Sequence, residues 1–516
     1  MTNDEKLFVE EQLLLLSQST QGNPISNEKL AEVQRIMQNF FVSQKVDYHV
    51  HSNGSHDATG KIGEVIKAAN KVNVGEVAIT NHNEIMETQI YLKKLNLRIR
   101  EENEELNKNT PEYNPSLPMN RINGVNVIPA VEITCVIPGV KSEKNKPLKI
   151  HMLVYGLKLE EPSPLLKLLK AKHENDMLVD FGLFRIIEKK YGIHFTEEKI
   201  KDYIIEKRQQ TKGFGRFGAD DVIDFLKYNN IKLSNSYKEV KELLKSAPGP
   251  ERMQLNVSDV IKLAHASGGM CVLAHPGVNL NRVNMNDNSG LTKEEKKAQI
   301  VRKLLEYGID GFELFYNSKN TDVRERKSGQ KTTIEIIKDE VRDFVASGKN
   351  RGNEIVFTAG SDTHFMEGDL NNDRQTLAST NKGDITSQGV KKFRKELAKL
   401  YFARLQGKTT HRKYKTIPKE EIIQIQQQYT LTAQNFERTF LEGVDNFTFT
   451  RTPQVIKPSI KHKNSNRKNY PPKIAKNFQE FEAGELALTS GSKQQMSMEE
   501  ELKRIDAINK TGGHSK

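Results

Sequence analysis

The sequence predicts an α/β protein built on a distorted seven-stranded parallel (β/α)7 barrel, with a helical insertion and a partly disordered basic C-terminal extension. Two observations predict the barrel. Seven short apolar runs recur along the chain, and helix-like stretches such as KIGEVIKAANKVN and VSDVIKLAHASGG separate several of them. Alternating strands and helices with continuously apolar strands predict a parallel sheet covered by helices, and seven such units favour a barrel over an open sheet.

The predicted strands follow a helical N-terminal arm. Ser26 can cap a helix, and apolar residues recur at helical spacing over residues 27–43. The seven strands are KVDYHV (45–50), EVAIT (76–80), VNVIPAVEIT (125–134), LKIHMLVYG (148–156), MCVLAH (270–275), GFELFY (311–316) and IVFTAG (355–360).

The same elements divide the chain into regions. Strand signals stop near residue 376, where one amphipathic basic helix is predicted over 389–407, and 457–473 carry no acidic residue and are predicted to be disordered. The predicted regions are a helical arm (1–44), the barrel (45–157 and 252–375), a charged helical insertion or cap (158–251) and the basic extension (376–516).

The composition indicates a chain that does not cross a membrane. No run of 18 or more apolar residues occurs, and the N-terminal LLLL is short and flanked by acidic residues, unlike a secretory signal. We therefore expect a cytoplasmic protein. Its two cysteines, Cys135 and Cys271, lie in apolar runs, which favours core packing over a disulfide framework.

The net charge of +12 is unevenly distributed. Residues 381–516 hold 26 Lys or Arg against 14 Asp or Glu, which accounts for the whole excess, so residues 1–380 are formally neutral. A basic extension on a neutral body favours an acidic partner such as nucleic acid. A solvated extension that binds nothing is the alternative.

Histidine and carboxylate side chains cluster in six short strings on or at the ends of predicted strands. In a parallel barrel the carboxyl ends of the strands converge on one face, so these side chains can share one cavity. His49 and His51 are two residues apart and project to the same side of a strand. A single such histidine is typical of a core residue, but six strings favour a metal site, because imidazole and carboxylate are ligands of hard and borderline cations. The strings are DYHVHSNGSHD (47–57), ITNHNE (79–84), AVEIT (130–134), KIHML (149–153), LAHPG (273–277) and GSDTH (360–364).

These strings resemble, in order, the signature of the polymerase and histidinol phosphatase (PHP) family, over roughly residues 46–366 apart from the insertion. The phrase GGMCVLAHP and a helical insertion after the fourth strand are similar to one branch of that family, the nucleoside 3′,5′-bisphosphate phosphatases and 5′-to-3′ exoribonucleases. The resemblance implies a metal-dependent phosphoesterase with two or three divalent ions, for which manganese, zinc and iron remain alternatives.

Carried over by residue, the resemblance implies three metal sites. His49, His51, Glu132 and Asp362 would form the first, Glu132, His151 and His275 the second, and Asp57 (or His56), His82 and His364 the third. The catalytic role falls on Glu132, Asp362 and His364. Ions that share Glu132 would hold a bridging hydroxide as the nucleophile, so no side-chain nucleophile is needed.

Two positions depart from the family pattern. Asn81 stands where the family usually has Asp, which replaces a charged acceptor near the ligands by a neutral amide and predicts weaker activity. In the Gly-rich loop QTKGFGRFGADD (210–221), Gly218 or Phe217 occupies the place of a histidine. Substrate binding is then expected to rest on Arg216, Lys212 and His56, unless the loop is an ordinary helix-entry turn.

The leading hypothesis is therefore hydrolysis of nucleotide or nucleic-acid phosphoesters. A phosphatase for histidinol phosphate or another small metabolite is the alternative within enzymes. An inactive, metal-stabilised barrel that binds nucleic acid through its extension is the alternative from another class. The matched ligand set argues against a scaffold, since a scaffold has no evident need for nine ligands around an open cavity.

Overall fold

The computed structural model describes the barrel, the helices that flank it and part of the insertion. Four predicted site residues, His56, Asp57, Lys212 and Arg216, lie outside the described residues, and so does the basic stretch 457–473. The described residues are 1–18, 25–42, 45–55, 58, 60–103, 111–158, 163–191, 223, 226, 253–285, 290–316, 331–364 and 388–431.

All seven predicted strands are confirmed, and three short strands join them in one sheet of ten described strands. In chain order they are β1 Val46–His51, β2 Glu76–Ile79, β3 Asn120–Ile122, β4 Val125–Lys141, β5 Pro147–Tyr155, β6 Leu255–Asn256, β7 Met270–Leu273, β8 Gly311–Tyr316, β9 Val356–Gly360 and β10 Thr363–His364. The order across the sheet is β10-β1-β2-β4-β5-β7-β8-β9, with β3 and β6 both paired to β4.

Strand β5 departs from the predicted all-parallel arrangement. It pairs antiparallel with both β4 and β7, whereas β1, β2 and β4 pair in parallel, as do β7, β8 and β9. Only residues 142–146 connect β4 to β5, and the Ser142 N–H donates to the Lys146 carbonyl at 2.7 Å. A connection this short closes a hairpin, because a parallel crossover needs a dozen residues or more. The α/β class and the distorted barrel are confirmed, with one strand reversed.

The two edges of the sheet meet where β9 passes into β10. Ser361 and Asp362 turn the chain, and β10 then pairs in parallel with β1. The Asp362 N–H donates to the His49 carbonyl at 2.9 Å, and the Ser361 N–H donates to Asp47 Oδ1 at 2.9 Å. The carboxyl end of the last long strand therefore lies beside the carboxyl end of the first, as barrel closure requires.

Amphipathic helices cover the sheet. Within the predicted arm, the helix expected over residues 27–43 is present as α2, which buries residues 33, 36, 37, 40 and 41, the spacing of one helical face. Within the described ranges, no helix combines the length and the apolar composition that a bilayer crossing requires. The helices are α1 Asn3–Ser17, α2 Asn27–Val42, α3 Ile62–Lys71, α4 Met86–Glu102, α5 Pro164–Tyr191, α6 Val257–Ala266, α7 Pro276–Leu280, α8 Lys293–Tyr307, α9 Thr333–Ala346, α10 Gln388–Leu405 and α11 419–431.

Helix α10 and the segment after it share the core of the barrel. The Phe393 ring centroid lies 4.8 Å from that of Tyr48 on β1. Gly268 has a φ of +75°, and a Cβ there would lie 2.5 Å from Arg404 Nη2. Residues 388–431 thus belong to the same hydrophobic core, although they lie within the extension predicted from the sequence.

Some of the basic residues of the extension are used inside the fold. Residues 388–431 carry 11 Lys or Arg against 3 Asp or Glu, which is +8 of the total +12. Arg394 is buried and contacts Glu76 at 2.7 Å, and the buried Arg412 contacts Asp310 at 3.1 Å. Internal pairing therefore accounts for basic side chains that the sequence alone suggested for an external acidic partner.

Candidate metal centre

Eight of the nine predicted ligands meet at the carboxyl ends of the parallel strands, and the ninth, Asp57, lies outside the described residues. His51 ends β1, His82 follows β2, and Asp362 follows β9. The reversed strand β5 also reaches this face, because it runs back along β4 from the hairpin. The assembled side chains are His49, His51, His82, Glu132, His151, His275, Asp362 and His364.

The Glu132 carboxylate lies at the centre of this cluster and is fully buried. Imidazole nitrogens from β1, β5 and the turns after β2 and β7 surround its two oxygens, so one carboxylate touches ligands from four places in the sheet. The distances from Oε1 are 2.8 Å to His151 Nδ1 and 3.0 Å to His275 Nε2, and those from Oε2 are 2.9 Å to His82 Nδ1, 3.2 Å to His51 Nε2 and 3.5 Å to His49 Nε2.

The Nε2 atoms of His49 and His51 lie close to each other and to the Asp362 carboxylate. They lie 3.1 Å apart, and each is 3.4 Å from Asp362 Oδ1. Each ring places its Nδ1 against another partner, Glu313 for His49 and Ser55 for His51, at 2.9 to 3.2 Å. With both Nδ1 atoms turned to these partners, the two Nε2 atoms are the nitrogens that face the carboxylate oxygens. A cation bound between them would be held by imidazole nitrogen and carboxylate oxygen together.

His364 completes the side of the cluster next to β10. Its ring stacks on His51 with centroids 4.1 Å apart and an interplanar angle of 15°. Its Nδ1 lies 2.9 Å from the Asp362 carbonyl, which fixes the ring against the backbone of the neighbouring predicted ligand.

Four overlapping groups in the cluster have the composition and spacing of a metal site, with one ligand atom from each residue within 4.8 Å of the others. They differ in detail from the three sites implied by the resemblance, because His51 joins His82 and His364, and His82 joins Glu132 and His151. The groups are His51/His82/His364, His49/His51/Glu132, His49/His275/Asp362 and His82/Glu132/His151.

Two buried atoms without hydrogen bonds fit this interpretation. Among the described residues, Glu132 Oε2 accepts no well-formed hydrogen bond and His275 Nδ1 has no partner. Native proteins rarely leave such atoms unsatisfied, because the cost is roughly 1–3 kcal/mol each. The chemistry of the set, with mixed imidazole and carboxylate, suits zinc, manganese or iron. The residues present therefore fit divalent cations.

The electrostatics of the cluster favour an ionised Glu132 and a neutral His51, whereas His49 and His275 hold protons more tightly. Burial opposes protonation of His49 and His275, but the neighbouring carboxylates outweigh it and raise the pKa of both rings, so a cation has to displace protons there. Burial opposes ionisation of the Glu132 carboxyl, but the imidazoles around it outweigh this and hold its pKa well below the usual range. Burial, helped by the charges of His82 and His364, lowers the pKa of His51. An ionised Glu132 and a neutral His51 are the states that ligate metals.

Asn81 holds the loop beneath the cluster. Its Oδ1 accepts from the Ser52 backbone N–H at 2.8 Å and from Ser55 Oγ at 3.3 Å, and its Nδ2 donates to Ser52 Oγ at 2.8 Å and to Thr88 Oγ1 at 3.0 Å. Ser55 Oγ in turn contacts His51 Nδ1 at 2.9 Å. The amide therefore acts on the ligand through Ser55, and both of its ends are used.

Sequence reasoning missed two residues that contact the ligands. Ser55 lies between two of the quoted histidines, in DYHVHSNGSHD, but its hydroxyl carried no signal of its own. Glu313 had a signal, because it is the single charged residue in the otherwise apolar strand GFELFY and a buried charge requires a partner.

A further group, His265, Cys271 and Asp310, has a similar composition at the amino ends of β7 and β8. Asp310 Oδ2 accepts from His265 Nε2 at 2.9 Å and from the Cys271 backbone N–H at 2.7 Å, while Arg412 Nε lies 3.1 Å from Oδ1. The Tyr414 ring stacks on His265 at 3.6 Å. The guanidinium supplies the positive charge here, so this group anchors the C-terminal segment.

Two solved structures are among the known proteins to which this chain is similar. No curated protein matches the chain. A proposed metal-dependent phosphoesterase from Bifidobacterium adolescentis is 16% identical with a TM-score of 0.37, covering 63% of this chain and 88% of its own. An amidohydrolase from Chromobacterium violaceum, solved with bound sulfate and no metal, is 16% identical with a TM-score of 0.35, covering 65% of this chain and 91% of its own.

The family itself is established by a match along the chain. The model of the PHP domain matches residues 47–314, just over half of the protein. That range contains six of the eight assembled ligands, and Asp362 and His364 join them through the closing strand β10. The chain belongs to the PHP domain family and is a metal-dependent hydrolase.

Proposed function

We propose that this protein hydrolyses nucleotide or nucleic-acid phosphoesters with two or three divalent cations held by the eight-residue cluster. The observation that supports the proposal most directly is the convergence of the two Nε2 atoms of His49 and His51 with the carboxylates of Glu132 and Asp362. Cations bound there would activate water as the nucleophile and neutralise charge on the phosphoryl oxygens.

The chain's own residues have distinct tasks in this proposal. Glu132 and Asp362 supply anionic oxygens from opposite sides of the cluster, and the imidazoles supply neutral nitrogen ligands. His364 lies over His51, and its side chain is 19% exposed, so it is a partly exposed member of the cluster. With His51 and His82 it would hold a cation on the side from which a phosphoester can approach.

The nucleotide part of the proposal is supported by the sequence: the GGMCVLAHP phrase, the helical insertion and the basic extension. The described part of that extension adds a constraint. Its exposed Lys408 and Lys413 lie near the amino ends of β7 and β9, opposite the cluster, because Thr409 lies beside Gly268 and the Lys413 N–H donates to Asn353 Oδ1. We infer that these lysines would hold a distant part of a polymer and not the scissile phosphate.

A turnover panel tests the proposal. We would load the protein with Mn²⁺ and compare a nucleoside 3′,5′-bisphosphate, a 5′-phosphorylated oligonucleotide, a cyclic nucleotide and histidinol phosphate. The expected result is phosphate or nucleotide release from the first two, and loss of turnover by at least 100-fold in Glu132→Gln. Glu76→Gln is the matched control. Glu76 is also a buried carboxylate on a strand, but it lies at the amino end of β2, whereas the cluster lies at the carboxyl ends.

Each outcome of the panel is informative. Preference for histidinol phosphate would replace the nucleotide proposal by a metabolite phosphatase. No turnover of any substrate, by a folded protein with bound metal, would favour a binding module. Truncation after Leu431 tests whether residues 432–516 contribute to binding a polymer. Turnover of small substrates should persist. If residues 432–516 contact phosphates, the affinity for the oligonucleotide should depend less steeply on salt after truncation.

A further inference from the structure

Glu313 is a buried carboxylate that touches two predicted ligands from outside the ligand set. It is the central residue of β8, with 0% exposure. Its Oε1 and Oε2 lie 3.1 Å and 3.2 Å from His49 Nδ1, and Oε2 also accepts the backbone N–H of His275 at 2.7 Å. Within the described part of the chain, no Lys or Arg contacts it, so these two residues supply its donors.

The first contact fixes which nitrogen of His49 is free. A carboxylate accepts and cannot donate, so His49 must carry a proton on Nδ1. Nε2 is then the nitrogen left for a cation, and it lies 3.5 Å from Glu132 Oε2 and 3.4 Å from Asp362 Oδ1. A carboxylate behind an imidazole ligand orients the ring and raises the basicity of its metal-binding nitrogen.

The second contact holds a strained backbone. His275 has a φ of +25°, a conformation that residues other than glycine rarely adopt. The Glu313 carboxylate accepts the N–H of this residue, and the resulting turn places His275 Nε2 3.0 Å from Glu132 Oε1. One side chain therefore orients ligands on both oxygens of Glu132.

The barrel makes room for this arrangement at Gly360. A Cβ at Gly360 would lie 2.6 Å from Glu313 Oε1 and would also overlap the Cβ of His49. The close approach of β9 to this pair explains why a residue without a side chain precedes the SDTH string. Strand β9 therefore packs directly against His49 and the Glu313 carboxylate behind it.

We propose that Glu313 is the positioning residue of the metal centre, which sets cation affinity by fixing the His49 tautomer and the His275 turn together. This inference rests on the proposed function, because it presumes that the cluster binds divalent cations. Glu313→Gln places a neutral NH₂ group at one of the two oxygen positions. An amide oxygen in the Oε2 position can still accept from both donors, but the NH₂ group then lies in the Oε1 position, 3.1 Å from His49 Nδ1. That contact opposes the Nδ1–H and favours the His49 ring protonated at Nε2, which removes a ligand.

The test is metal affinity and not turnover alone. Zn²⁺ or Mn²⁺ would be titrated into metal-free wild type, Glu313→Gln, Glu313→Asp and the control Glu76→Gln, in competition with a chelator of known affinity. We expect a 10- to 100-fold loss of affinity in Glu313→Gln, a smaller loss in Glu313→Asp, and wild-type affinity in Glu76→Gln. Turnover of Glu313→Gln should recover towards the wild-type rate at saturating metal, which a general loss of structure would not allow.

The outcomes separate this inference from the proposed function. If wild type binds Mn²⁺ and Zn²⁺ and Glu313→Gln binds them equally well, the positioning role is wrong and the metal site stands. If Glu313→Gln does not fold, the metal affinity of Glu313→Asp takes its place as the test. ¹⁵N NMR of the histidines in metal-loaded wild type is the second measurement, because a His49 ring protonated at Nε2 would overturn the inference. If wild type binds neither metal, the proposed function fails first.

Discussion

Replacing Glu396 by glutamine should destabilise the protein at neutral pH, and by less in acid. Glu396 lies on α10 and is 5% exposed. Its Oε2 accepts from Arg412 Nη1 at 2.7 Å and from His411 Nε2 at 2.9 Å, and Oε1 accepts from Lys399 Nζ at 2.8 Å. Burial opposes ionisation, but these donors outweigh it and lower the pKa of Glu396 to about 2.

The size of the effect follows from that pKa. A depression from 4.5 to about 2 corresponds to about 3 kcal/mol of folding free energy, at about 1.4 kcal/mol for each pH unit. Because the folded pKa is the lower one, the contribution is complete above a pH of about 5, where the unfolded carboxyl is ionised. It is lost as pH falls through the folded pKa, so about 1 kcal/mol remains at pH 3.

Urea unfolding of wild type and Glu396→Gln at pH 7, 5 and 3 measures this difference. The matched control is Glu354→Gln, because Glu354 also joins α10 to the body, through Lys392 at 2.6 Å, but with a side chain that is 50% exposed. Such an exposed pair contributes under about 1 kcal/mol. Equal losses in the two variants, or a Glu396 difference as large at pH 3 as at pH 7, would refute the reasoning.

Three further predictions concern stability. Gly268→Ala should lower the free energy of unfolding by well over the roughly 1–2 kcal/mol of left-handed strain, because its Cβ would also overlap the C-terminal segment. The control Gly348→Ala, with φ +71° and open space around it, should cost only that strain. Urea unfolding of both variants measures the difference. Asn81→Asp should lose about 1–3 kcal/mol in the same assay, since a carboxylate cannot donate to Ser52 or Thr88. Removal of bound metal should lower the melting temperature, with free metal at 100 times its dissociation constant adding about 2.7 kcal/mol to unfolding.

The sequence predicted the strands well, and eight of its nine candidate ligands lie together in the structure, because both leave strong local signals. A buried strand shows as a short apolar run, and a histidine at its end interrupts that run. Within the predicted helical arm (1–44), only residues 27–43 showed helical spacing. The α1 segment showed none, since its leucines at 7, 14 and 15 are exposed and its apolar residues follow no single face. A helix that gains its stability from tertiary contacts carries little periodic signal.

The reversed strand β5 and the role of Glu313 could not be predicted from periodicity. An apolar run reads the same in either direction, and only the short polar segment 142–146 between two runs indicated a hairpin. Glu313 could be recognised as unusual from its apolar neighbours, but its partners lie 264 and 38 residues earlier in the chain. Such pairings depend on barrel closure, which local sequence does not report.

Closure of the barrel brings the last two members of the candidate metal centre to the others. The family match ends at residue 314, but the Asp362 carboxylate and the His364 ring enter the cluster only when β10 pairs with β1. Glu313, on the strand before β9, connects the two sides, because its carboxylate touches a ligand from the first strand and the turn after β7. Cations that bind between these side chains would link the first and last strands, so the stability of the closed barrel and the affinity for metal must rise and fall together.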